Sequence, residues 1–135
     1  MDLITVTAAG AGATISVRTH RVESDHAPAD GGSDAGLSPA ELFVASLGAC
    51  MALAVATYCR SHGYGDGVEV NLTYAMAQAP TRIASIVADV HVPAGLPDDR
   101  FEAVRRVAEL CPLHATLAQP PQLDLVQRFE IRLGM

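Results

Sequence analysis

The chain reads as an α+β fold, and three observations carry that reading. An uncharged, helix-forming stretch occupies the middle of residues 38–63, period-2 alternation appears on both sides of it, and a further helical pattern follows a Pro/Gly break at 93–97. The elements come in blocks, ββ-α-ββ-α-α-β, rather than in the strict alternation of a parallel α/β sheet. At 135 residues the sequence suits a single domain over 1–135. No internal repeat or low-complexity tract divides it.

The first block reads as a hairpin. Leu3, Ile4 and Val6 precede an Ala-Gly-Ala-Gly turn at 9–12, and Ile15 to Val22 then alternates as a second strand. On that strand Arg18 and His20 share one face and Arg21 takes the other. Residues 23–36 read as a long polar loop, with Pro28, three glycines and four acidic residues. Its length suits a functional or mobile segment.

The central helix has defined ends. Ser38 is placed to N-cap it, Pro39 takes the first helical position, and Glu41 falls three residues after the cap, the spacing of a capping box. Gly63 supplies the stop, since glycine adopts the left-handed C′ geometry without steric cost. Residues 42–58 carry no charge, and apolar side chains cover every face, which predicts burial on all sides. A membrane span is the competing reading, but the run falls short of the usual ~20 residues and lacks flanking basic clusters. A chain this small can scarcely surround such a helix alone, so a partner subunit is expected over it. Ala45, Ser46, Gly48, Ala49, Ala52 and Ala56 line a side along which neighbouring backbones can come close.

Beyond the helix, residues 68–77 and 82–92 alternate as strands joined by a turn at Ala79-Pro80. Asp98 and Asp99 favour a helix start, and Phe101, Val104, Val107, Ala108 and Leu110 form its apolar stripe. Cys111-Pro112 interrupts that helix, a short one follows to about Ala118, and residues 123–133 read as a final strand.

Composition narrows the function. A formal net charge of −6 and a pI near 5.2 argue against nucleic acid as a partner. The first ten residues lack the pattern of a secretory signal. Three cysteines, an odd number, do not suit a secreted disulfide framework. A reducing cytoplasm is the expected compartment.

The cysteines are the candidate chemistry. Cys50 lies mid-helix, beyond reach of the helix dipole, so any activation must come from an approaching cation. Cys111 precedes Pro112 at a helix start, with His114 at i+3, and elementary electrostatics nominates it as the more acidic thiol. Against this, a lone cysteine in an Ala-rich buried helix is usually a small hydrophobe. Cys59, near Arg60 and His62, reads as structural. Zinc ligation by Cys50, Cys111 and His114 is a further option, though no Cys-x-x-Cys spacing supports it.

The string GGSDAGLSPAELFVASLGAC at 31–50, followed by CPLH at 111–114, resembles the OsmC/Ohr family of osmotically induced and organic hydroperoxide resistance proteins. The resemblance covers most of the chain and is to the general OsmC-like branch. It implies an intertwined homodimer with two central helices packed between sheets, and a thiol peroxidase that needs no metal or flavin. It further implies that Cys50 attacks a hydroperoxide to form a sulfenic acid, that Cys111 resolves it as a disulfide, and that a small dithiol or lipoyl group reduces the product. On that reading the roles reverse the electrostatic nomination, with Cys50 attacking and Cys111 resolving.

Two positions depart from the family's hydroperoxide branch. There a carboxylate follows the helix-opening proline, whereas here Ala40 does. Glu41 lies nine residues before Cys50, and nine steps of ~100° turn it to roughly the opposite face, so it reads first as a cap. For the family's activating arginine, Arg21 is the first candidate and Arg18 the second. The alternative to a peroxidase is a non-enzymatic member that binds a small apolar ligand in a pocket at the dimer interface.

Overall fold

The structure is a computed structural model and describes residues 2–125. Three antiparallel strands open the chain, β1 (Thr5–Ala9), β2 (Gly12–Val17) and β3 (His20–Asp25), in the order β1-β2-β3. Alternation predicts one strand over 15–22. The chain instead reverses at residues 18–19, so that Val17 pairs with His20 and Ser16 with Arg21. Arg18 takes φ 52° in that turn. A tight hairpin needs a positive φ, usually supplied by glycine or asparagine, and an arginine there leaves no turn signal to read.

β3 also runs three residues into the segment predicted as loop. Beyond it, the buried Asp25 carboxylate accepts N–H bonds from His26, Ser33 and Ala35 at 2.8, 3.0 and 3.1 Å. One side chain thus gathers the loop, which includes a 3-10 turn at Pro28–Asp30, against the end of β3. Ser24 hydroxyl donates to the Leu37 carbonyl at 2.8 Å and delivers the chain to the next helix.

That helix, α1 (Pro39–Ser61), has the ends its sequence calls for. Ser38 N–H donates to Glu41 Oε1 at 2.9 Å, and Glu41 N–H donates to Ser38 Oγ at 3.2 Å. At the other end Gly63, at φ 70°, donates to the Arg60 carbonyl while Tyr64 N–H reaches the Cys59 carbonyl. This pair of bonds is a Schellman motif. Within the chain α1 buries one stripe, Val44, Leu47, Gly48, Met51, Val55 and Cys59. The predicted burial on every side is not met by this chain alone, since Phe43 and Leu53 remain 49% and 70% exposed. α1 is long and apolar enough to cross a membrane, but here β3 and the strands and helices that follow α1 pack on it.

β4 (Glu69–Ala77) and β5 (Arg82–His91) form an antiparallel pair with a bulge at Ala75/Met76. Val70, Leu72, Ala77, Ile83, Ile86, Ala88 and Val90 are its half-buried positions; they follow the two-residue period except across the bulge, where Ile83 and Ile86 are three apart. A 3-10 turn at Asp98–Arg100 leads into α2 (Phe101–Glu109), and α3 (Pro112–Ala118) follows. Val55, Cys59, Leu96 and Val104 make one core cluster, while Leu47, Met51 and Cys111 make a second. Of the strand predicted over 123–133, residues 123–125 are irregular and the rest lies outside the described residues.

Candidate active site

α1 carries Cys50 between two buried neighbours, Leu47 and Met51, that face the second core cluster. Cys50 is half-buried and so within reach of a small molecule. Cys111 comes from the sharp corner between α2 and α3. The residue before a proline is driven to extended backbone, and Cys111 takes φ −61°, ψ 141° as the cap of α3. There its Sγ accepts the His114 N–H at 3.4 Å. The fold brings these two cysteines, remote in sequence, side chain to side chain within one apolar cluster.

Their environments differ. Cys111 is only 1% exposed, and burial is the main force pushing its thiol up. The bond from His114 N–H pulls the other way, and contact with Cys50 pushes up again. The sequence nominated Cys111 as the more acidic thiol because it starts a helix. The N–H bond of that argument is present, but desolvation outweighs it. All three cysteines are free thiols. Cys59 is fully buried in the other cluster and its thiol is pushed up by burial alone, as befits a packing residue.

Two cavities open on residues that pack against the pair, Leu47 and Met51 among them, and neither cysteine is itself in their walls. The larger, about 830 Å³, lies between α1, β5 and α3 and is lined by Phe43, Leu47, Met51, Ile83, Ile86 and Leu117 among others. The second, about 620 Å³, opens between β5 and α2 against Val90, Val92, Phe101 and Val104. Met51, Ala88 and His114 belong to both walls.

Residues 31–126 match the profile of the OsmC-like protein family. That span includes both cysteines, the capping box and the Cys-Pro corner. This chain belongs to the OsmC-like family. Solved structures agree on the fold. A Psychrobacter arcticus protein described as an osmotic stress induced and detoxification response protein superposes with a TM-score of 0.79 at 20% identity, covering 86% of this chain and 88% of the other. An OsmC-like protein of Mycoplasma pneumoniae gives 0.72 at 17%, covering 89% of each chain. An organic hydroperoxide resistance protein OsmC of Legionella pneumophila gives 0.69 at 16%, covering 88% and 90%. Comparison with curated proteins yields no match.

The structure treats the remaining candidates of this OsmC-like chain differently. Arg18 pairs with Asp2 and Arg21 with Glu23, each at 3.4 Å and on the surface. Neither guanidinium is among the groups that act on Cys111. Glu41 is occupied by the capping box, which holds its carboxyl below the ordinary range through bonds from Ser38 backbone and hydroxyl. For the zinc option, His114 meets Cys111 through its backbone N–H, and no group of three His, Cys, Asp or Glu residues suited to a metal occurs among the described residues. The sequence places His114 beside Cys111, but not in the wall of both cavities, where the structure has it. Only the i+3 spacing after Cys111 hinted at it.

Proposed function

We propose that this protein is a thiol-dependent peroxidase of organic hydroperoxides, acting as a homodimer in the cytoplasm. The observation that carries the reading is the contact between Cys50 and Cys111 beside an apolar cavity. The half-buried Cys50 is the attacking sulfur and the inaccessible Cys111 the resolving one. Cys50 thiolate takes the terminal oxygen of ROOH, giving Cys50 sulfenic acid and ROH. Cys111 thiol then displaces that oxygen as water and closes the disulfide. An external dithiol, a lipoyl group in particular, returns both cysteines to thiols and leaves oxidised itself.

The first step needs Cys50 as thiolate, and a guanidinium is the natural stabiliser. Arg21, and after it Arg18, is assigned this task across the subunit interface. Single surface ion pairs such as theirs are worth little, so either side chain is free to be recruited. The dimer is supported by the apolar face that α1 leaves uncovered.

The test is peroxide reduction with dihydrolipoamide as reductant. Wild type should turn over cumene hydroperoxide, and Cys50→Ser should abolish it. Cys111→Ser should still lose its Cys50 thiol to one equivalent of peroxide but form no intramolecular disulfide. A second reading, binding of a small apolar ligand without chemistry, draws on the apolar lining of the larger cavity. It requires that mass spectrometry find Cys50 and Cys111 unoxidised after stoichiometric peroxide, an outcome that excludes the peroxidase.

A further inference from the structure

We propose that His114 is the proton donor to the alcohol that leaves when Cys50 is oxidised, an inference that rests on the peroxidase reading above. The two cavities share Met51, Ala88 and His114. Met51 follows Cys50 in the chain and packs on Cys111, so the shared wall stands beside the reacting sulfurs. In the larger cavity the remaining polar side chain is Ser85, and the rest of the lining is apolar. A serine hydroxyl is no stronger an acid than the alcohol being expelled. The imidazole is the group on that wall suited to general acid catalysis.

The ring is also free to act. His62 meets the Tyr58 carbonyl and His91 meets Asp89, whereas the half-buried His114 ring makes no hydrogen bond among the described residues. Its backbone N–H is held by Cys111 Sγ, which ties the imidazole to the resolving cysteine. The charged and titratable groups facing it are few. Arg105 and Glu109 on α2 pair with each other at 3.1 Å, His91 on β5 is engaged by Asp89, and Cys50 and Cys111 lie behind the shared wall.

Cys50 thiolate forms an S–O bond with the terminal oxygen while the O–O bond breaks. Its electron pair goes to the oxygen that stays with carbon. Sulfur is oxidised by two electrons and the peroxide is reduced by two. An alkoxide in an apolar cavity has little water to protonate it, so the His114 imidazolium transfers its proton, leaving ROH and neutral imidazole. Solvent reprotonates the ring once the alcohol has gone.

The experiment compares wild type with His114→Gln and His114→Ala by stopped flow, using tert-butyl hydroperoxide and peracetic acid. The peracid expels a carboxylate, which needs no proton. The variants should lower the ratio of alkyl hydroperoxide to peracid rate constants by ~10²-fold, the scale of general acid catalysis. The peracid arm reports in the same sample that Cys50 is folded and reactive. An unchanged ratio overturns the inference, as does an equal loss on both oxidants. A wild type that reduces neither oxidant sinks the peroxidase reading, and this inference with it.

Discussion

Replacing Gly48 with alanine tests how closely α1 lies on the sheet. Gly48 is buried mid-helix, and a Cβ built on it would run into Leu72 Cδ1 of β4, with Leu72 Cγ and Cδ2 at 3.6 Å. Two effects oppose each other. Alanine in a helix interior is favoured over glycine by ~1 kcal/mol. Overpacking a filled site costs roughly 1–3 kcal/mol, and the half-buried Leu72 can yield at its tip, so about 2 kcal/mol applies. Gly48→Ala should therefore lose about 1 kcal/mol net. With Leu72→Ala already present the clash is gone, and the same substitution should gain about 1 kcal/mol. Urea denaturation of the four proteins closes a double-mutant cycle, with an expected coupling of about 2 kcal/mol. Gly48→Val, which pushes two further methyl groups into the same space, should cost more than alanine in either background. If Gly48→Ala stabilises wild type by the full helix-propensity gain and the cycle shows no coupling, α1 and β4 do not meet at this point.

Three further outcomes follow from the same structure. Ser38→Ala should cost about 1 kcal/mol by thermal melting, as loss of an N-cap does, while Glu41→Gln, which keeps the acceptor, should leave the peroxidase rate intact; a large rate loss at unchanged stability would make Glu41 a working carboxylate. Asp25 is held below its ordinary value of 3.8, chiefly by N–H bonds from Ala35 and Ser33, so its contribution is full above that value and fades as pH falls through the lower folded one. Asp25→Asn should flatten stability over that acid range, and an unaltered acid slope in melts counts against the loop lock. Leu53→Glu, on the exposed face of α1, should turn a dimeric wild type into a monomer by sedimentation, and a wild type already monomeric would remove the proposed interface.

Much of the architecture was legible because local chemistry encoded it. Ser38, Pro39, Glu41 and Gly63 set both ends of α1 through groups a few residues apart, and Pro112 set the start of α3. The alternation of β4 and β5 needed only the two-residue period. The reversal between β2 and β3 escaped notice because Arg18 takes a left-handed conformation that sequence assigns to glycine. Fourteen residues of polar loop gave no sign that Asp25 would gather them, since each of its three bonds reaches a backbone N–H and no side-chain motif.

By itself the sequence determined α1 and its caps, the β4–β5 pair, the start of α3, the two cysteine motifs and the family they point to. Tertiary structure decided how reachable each thiol is, and that burial pushes those of Cys59 and Cys111 up. Cys111 sits where a helix start should favour its anion, yet Leu47, Met51 and their neighbours remove it from water, and that desolvation is a sum over segments far apart in the chain. The same holds for His114, which meets both cavities only because α1, α2, α3 and β5 converge around it. Spacing along a chain reports which groups share a turn. What solvent those groups see depends on everything that packs over them.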